Sequence, residues 1–286
     1  MGGARRWPPA RKSMPITVAI ANYNGRDYLR SLLPQVRAHG FRHIVVLDDA
    51  STDDSIEWLA TQSDIVTVAG EKNLGPVGNK NRILDVPTEQ IILFLDNDLE
   101  LLGADSAALL EVEFDRHPEA AVIGPLIVDH SDAPTWYNWG YDCGPYRLGM
   151  QTVLNYMAQA HFHDPRVMET VRELSKGVVG HFEPVESREV DWVIEMFFAV
   201  RDGVFRALGG FDPGFRMFND GPDFCLRARK GGHTVRLTTS LKARHLDQQS
   251  GTPVARRADS IASSRYFFAK HYGITDEALW LKLRWR

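Results

Sequence analysis

Leu95-Asp96-Asn97-Asp98 closes an apolar run, Ile91-Ile92-Leu93-Phe94-Leu95, and sets two carboxylates two residues apart. In an extended chain such residues share a face, so Asp96 and Asp98 read as a pair aimed at one site. Hard oxygen ligands of this kind suit Mg2+ or Mn2+, with a phosphate supplying further oxygens. Asp-x-Asp also occurs in turns and helix caps, so the pair needs company. Asp48-Asp49 ends a second apolar run, Ile44-Val45-Val46-Leu47, and Asn73-Leu74-Gly75-Pro76-Val77-Gly78-Asn79-Lys80-Asn81 makes a glycine-rich loop. Gly75 and Gly78 let backbone approach a ligand closely, Lys80 carries a charge suited to phosphate, and the Asn amides donate and accept. Together these residues outline a nucleotide crevice. Neither G-x-G-x-x-G nor Walker spacing is present, which weighs against dinucleotide and ATPase sites.

The elements that must position these residues are legible from periodicity. Ile16 to Ile20 is a β-branched run that turns at Asn22-Tyr23-Asn24-Gly25, and Tyr28, Leu29, Leu32, Leu33 and Val36 then recur at helical spacing until Gly40. Asp53 caps a second helix through Ile56, Trp58 and Leu59, and further strands are predicted at Ile65 to Val68 and Ile91 to Leu95. Apolar strands alternating with amphipathic helices imply an α/β fold, Rossmann-like, with a mostly parallel central sheet, helices on both faces and ligands at the carboxyl ends of the strands. Residues 15–129 form the nucleotide-binding half. Residues 130–189, with Trp136, Tyr137, Trp139, Tyr141, Tyr146, Tyr156 and Phe162, read as an insertion or acceptor lid. Residues 190–286 form the other half, with a strand over Val190 to Arg201, a turn at Gly209-Gly210-Phe211-Asp212, a helix through Phe224 to Arg229 and a strand near Val235-Arg236-Leu237.

Bulk properties narrow the function. A chain of 286 residues, 44% hydrophobic, can bury the core of one domain with an insertion. The net charge of -4 excludes a general basic field for nucleic acid. Cys143 and Cys225 stand apart, which points to a reducing, cytoplasmic compartment. No apolar run approaches the ~20 residues that cross a bilayer. The Arg- and Pro-rich residues 1–14 read as a disordered tail. The closing Leu279 to Arg286 mixes apolar and basic residues, as a docked helix does or a segment peripheral to the inner face of an anionic membrane.

The chain resembles the inverting glycosyltransferases of family 2, rhamnosyltransferase-like members included, which have the GT-A fold. The resemblance rests on an ordered set. It comprises Asn22-Tyr23-Asn24, Asp48 with Ala50-Ser51-Thr52-Asp53, the Asn73-x-Gly75 loop with Lys80-Asn81, and Asp96-x-Asp98. It continues with Val190-Asp191-Trp192-Val193, Arg201, Gly209-Gly210-Phe211-Asp212, Asp223-x-Cys225-Leu226-Arg227, Gly232, His245 and Tyr266-Phe267-Phe268-x-Lys270.

By that resemblance the donor is a nucleoside-diphosphate sugar and the acceptor a hydroxyl of a glycan, a lipid-linked glycan or a small molecule. Asn22, Tyr23, Asn24 and Asp48 would hold the base. Asn73, Gly75, Lys80, Asn81 and Asn97 would complete the nucleotide site, and Asp96 would face the ribose or the metal. Asp98 and His245 would bind Mn2+ or Mg2+. Inverting transfer needs a carboxylate to take the acceptor's proton, and Asp220 is preferred to Asp223, although either could cap the helix that starts there. Relatives commonly place an acidic pair, one residue and a third acid at this point, whereas Asn219-Asp220-Gly221-Pro222-Asp223 leaves Gly221 at the usual base position. At Ile194-Glu195-Met196 relatives carry a small pair, so Glu195 and Met196, with Asp191 and Trp192, would reshape the acceptor side. A nucleotidyltransferase, or a sugar-binding module on a decayed transferase, are the competing readings.

Overall fold

Runs of Val, Ile and Leu form strands here because both faces of the sheet are covered, so continuous apolar sequence costs nothing in exposure. The computed structural model describes residues 14–135, 138–141, 163–175, 186–246 and 253–275. The N-terminal tail, most of the aromatic insertion and the closing basic segment lie outside the described residues. Strands β1 (Ile16–Asn22), β2 (His43–Asp48), β3 (Ile65–Ala69) and β4 (Ile91–Asp96) pair in parallel in the order β3-β2-β1-β4. Val18 and Ile20 pack with Leu29, Leu32, Leu33 and Val36 of α1 (Arg26–Ala38). Ala19, Val45, Leu47 and Phe94 face the opposite layer. The two-residue alternation thus feeds two cores. Helix α2 (Ser55–Leu59) bridges β2 and β3. The glycine-rich stretch is helical rather than an open loop: α3 (Gly75–Lys80) carries Pro in its first turn and runs into a 3-10 turn (Asn81–Asp85).

Beyond β4 the sheet is mixed, with both antiparallel and parallel pairs. β5 (Leu99–Leu102), α4 (Ser106–Arg116) and β6 (Ala120–Val128) lead to the short β7 (Trp139–Gly140) and α5 (Pro165–Ser175). β8 (Arg188–Val190) and β9 (Trp192–Val193) follow, and then β10 (Phe197–Arg201), which lies antiparallel between β4 and β6. The direction has a local cause. β10 leaves a tight turn at the carboxyl end of β4, where Asp96 N donates to Met196 O at 2.9 Å, and can only run back along β4.

Helix α6 (Asp202–Ala207), α7 (Asp220–Lys230), β11 (Thr234–His245) and α8 (Pro253–Tyr272) complete the described fold. β11 runs parallel to β6 and antiparallel to β5 and β8. Phe94, Phe198, Phe205, Phe211 and Phe224 stack edge-on or tilted at centroid distances from 5.0 to 5.7 Å. Each buried ring contributes ~2 kcal/mol or more, and together they lock α7 onto β4 and β10. Among the described residues no helix is long and apolar enough to cross a membrane.

Candidate active site

The carboxyl ends of β1 and β2 form a wall whose polar atoms bind one another. Asn22 Nδ2 donates to Asp48 Oδ2 at 2.8 Å, and Asn22 Oδ1 accepts from Asn97 Nδ2 at 2.7 Å. Asp48 also accepts from Ser51 N at 2.8 Å and Ser51 Oγ at 2.6 Å. It is fully buried. These bonds hold the Asp48 carboxylate in the wall beside Asn22. Asn24 adopts φ 49°, and its Oδ1 receives Thr52 N at 2.7 Å and Asp53 N at 3.3 Å. Between the two asparagines Tyr23 is 40% exposed, so its ring is the side chain that this edge offers to a planar ligand.

Asp49, unassigned from sequence although the doublet was visible, holds the next loop. Its two oxygens accept Leu74 N and Gly75 N, each at 2.8 Å. Asn73 Oδ1 accepts Gly75 N at 3.2 Å and Arg216 Nη2 at 3.3 Å. Gly75 has φ 78°, and a Cβ there would stand 3.0 Å from Arg216 backbone and side chain, so only glycine fits. Lys80 and Asn81 depart from their expected nucleotide contacts. Lys80 is buried, its Nζ 2.8 Å from Asp96 Oδ1 and 3.1 Å from Glu195 O. Asn81 clamps Phe211, donating to its O at 2.7 Å and accepting from its N at 2.9 Å.

The Asp-x-Asp pair does not act as an extended pair, because Asn97 and Asp98 form the turn between β4 and β5. Asp96, the last residue of β4, faces Lys80. Asp98 Oδ2 lies 3.2 Å from His245 Nε2, brought there because β11 ends antiparallel to β5 with His245 opposite Leu99. Leu246 N donates to Asp98 O at 2.9 Å and fixes the same junction. A carboxylate and an imidazole converging at a cleft edge are donors that Mn2+ accepts. Among the described residues no group of three or more such side chains assembles.

Two acids of α7 have opposite surroundings. Asp223 is fully buried and receives Arg227 Nε at 2.8 Å, Lys270 Nζ at 2.6 Å and His271 Nε2 at 2.7 Å. Burial works against its charge, but His271, Lys270 and Arg227 outweigh burial and hold its pKa below the usual range. These partners favour its ionised form and tie α7 to α8. Asp220 opens the helix after Phe218 and Asn219, two consecutive non-glycine residues at φ 66° and 61°. Such strain persists where surrounding structure enforces it. Burial, opposed by Lys80, pushes the Asp220 pKa up to about 6. Burial and Asp220 push that of Glu195 up to about 8. On Lys80 the attraction of Asp96, Asp220 and Glu195 overcomes burial and raises the pKa, keeping it a cation.

The remaining acceptor-side residues are less available than their order in the sequence suggests. Trp192 is buried and packs on Gly140, where a Cβ would stand 2.6 Å from the indole. It packs in the core layer that also holds Trp139 and Phe198. Met196 is buried in the other core layer, and Asp191 Oδ1 pairs with Arg229 at 2.6 Å. Of the lid aromatics, Trp139 is buried against Tyr141 and contributes packing. Trp136, Tyr137, Tyr146, Tyr156 and Phe162 lie outside the described residues.

Comparison with known proteins bears on the fold and the family. A stretch of 103 residues is 29% identical to GalNAc(5)-diNAcBac-PP-undecaprenol beta-1,3-glucosyltransferase of Campylobacter jejuni, covering 34% of this chain and 33% of that relative. The fold is similar to that of GalNAc-T7 crystallised with UDP, GalNAc and Mn2+ (TM-score 0.58, 14% identity, 94% of this chain and 54% of that one). It is also similar to the mannosyltransferase PcManGT of Pyrobaculum calidifontis in complex with GDP-Man and Mn2+ (TM-score 0.57, 17% identity, 91% and 64%). The chain thus spans about half to two thirds of these structural relatives, and the matched stretch a third of the Campylobacter enzyme. The model of glycosyl transferase family 2 matches residues 17–168, more than half of the chain, and the chain belongs to that family.

Proposed function

We propose that this protein transfers a sugar, a hexose or deoxyhexose, from a nucleoside diphosphate to a hydroxyl acceptor with inversion, and that Asp220 is the general base. The observation that carries the reading is Asp220 itself. It is a buried carboxyl of raised proton affinity that forms no ion pair among the described residues, beside the Lys80–Asp96 pair at the end of β4. At neutral pH it is mostly ionised yet basic enough to take a proton as a hydroxyl attacks. The acceptor O–H bond breaks and the proton moves to Asp220. The acceptor oxygen bonds to the anomeric carbon as the bond from that carbon to the diphosphate oxygen breaks, and the nucleoside diphosphate leaves.

Tyr23 would face the base of the nucleotide, and Asp49 would hold the Asn73–Gly75 loop in place for the donor. Asp98 and His245 would hold Mn2+ or Mg2+, which when bound supplies positive charge to the leaving diphosphate. The name of the Campylobacter relative specifies an undecaprenol-linked glycan, which supports a glycan or lipid-linked acceptor here and a place at the inner face of the membrane.

A panel of UDP-, GDP- and dTDP-sugars, scanned by thermal shift with and without Mn2+, identifies the donor as the ligand that raises the melting temperature. Release of nucleoside diphosphate then measures turnover. Full turnover by Asp220→Asn, or indifference of the wild type to every activated sugar, sinks the reading.

A further inference from the structure

The turn between β9 and β10 and the start of α7 share one small volume. Glu195 is half-buried, but its Oε2 is buried and has no hydrogen-bond partner among the described residues. A carboxyl oxygen left in that state costs stability unless something else uses it. Its neighbour across the gap is Gly221. A Cβ on Gly221 would come within 2.8 Å of Glu195 Oε2 and 3.2 Å of Glu195 Cβ and Val193 O. The Glu195 carboxyl therefore occupies the space that a side chain from the first turn of α7 would fill, one residue along from Asp220. Lys80 does not neutralise it by contact, since Nζ bonds the backbone O of Glu195 and the carboxylate of Asp96. Burial, and then the Asp220 carboxylate, raise the proton affinity of this carboxyl.

We infer that Glu195 is an acceptor-binding residue whose carboxyl, seated in the slot at Gly221, grips an oxygen adjacent to the hydroxyl that Asp220 deprotonates. The inference rests on the transferase reading and adds a substrate class to it. The acceptor must offer two neighbouring oxygens, as a sugar ring does and an isolated alcohol does not.

The test uses the donor found by thermal shift, a set of methyl glycosides as acceptors, and 1-hexanol as an acceptor lacking a neighbouring oxygen. Wild type should transfer to at least one glycoside in preference to hexanol. E195A should lose about tenfold or more in kcat/KM, mostly through acceptor KM, while melting no lower than wild type because an unpartnered buried acid is gone. The conservative variant E195Q, which keeps a hydrogen-bonding group in the same place, should retain more activity than E195A. An E195A enzyme as active as wild type overturns the inference, as does one that melts several degrees lower, which would mark Glu195 as structural. A wild type that releases nucleoside diphosphate yet uses no glycoside, or prefers hexanol, overturns it while leaving the transferase reading standing. A wild type that turns over no donor removes both.

Discussion

On the rim built from β1, β2 and α3, Asn22, Asp48, Asp49 and Asn81 tie their polar side-chain atoms to a neighbour within the chain. Across β4, on the rim built from the β9–β10 turn and α7, Glu195 holds an unpartnered oxygen and Asp220 a carboxyl of raised pKa. Both rims carry acids on a buried polar wall, so composition does not separate them. The difference lies in partners. Where hydrogen bonds satisfy a buried carboxylate it acts as a strut, and where they do not, the fold tolerates a less stable arrangement whose protons can move. The contrast repeats within α7, where Asp223 is a strut and Asp220 is not.

Substitution at those two positions should break the contrast most sharply. Asp220→Asn should lower nucleoside diphosphate release by roughly 10²–10⁴-fold, with the melting temperature held or raised. Asp223→Asn should do the reverse. It leaves Lys270, His271 and Arg227 around a neutral amide and should cost ~3–5 kcal/mol of stability, as breaking a buried ion pair does. Folded Asp223→Asn protein, assayed well below its melting point, should retain most of its turnover. If both variants lose activity in proportion to stability, the distinction between strut and base fails.

Asp98→Ala should have a smaller effect. Loss of an outer-shell partner alone costs a metal roughly 10–100-fold in affinity, so removing Asp98 should shift the Mn2+ titration of donor turnover by at least about tenfold. Mn2+ added in the presence of donor should then no longer raise the melting temperature at concentrations that stabilise the wild type. An unchanged titration would separate Asp98 and His245 from the cation.

The strands at Ile16 and Ile44 and the helix through Leu29 to Val36 were legible in sequence because local periodicity is enough to make them. The reversed direction of β10 was not, since nothing in Phe197-Phe198-Ala199-Val200 records which neighbour it will meet. Lys80 looked like an exposed phosphate ligand. Its burial depends on Asp96 and on the backbone of Glu195, 115 residues away. Asp220 and Asp223 were alike on the page, both being acids in the first turn of one helix. What separates them is Lys270 and His271 on α8, a contact only the tertiary fold creates. The mismatch at Gly221 and the mismatch at Glu195 were each visible as departures from a family pattern, and their adjacency was not.

The contrast between the rims can also be sharpened through pH. Glu195 binds its proton more tightly folded, at about 8, than at its ordinary value of 4.5. Between those values the folded protein keeps a proton that the unfolded chain has released, so this group makes stability fall as pH rises from about 4.5 to about 8 and has no further effect above that. Asp223 has the opposite sign. Its depressed pKa adds stability that is present above the ordinary 3.8 and is lost as pH falls through the folded value. Urea unfolding of wild type and E195A at pH 5, 6.5 and 8 reads Glu195 together with its neighbour Asp220, which titrates at about 6, because Asp223 stays ionised throughout that range. The wild-type curve should decline toward pH 8 relative to E195A, and parallel curves would mean that Glu195 titrates as an ordinary surface acid.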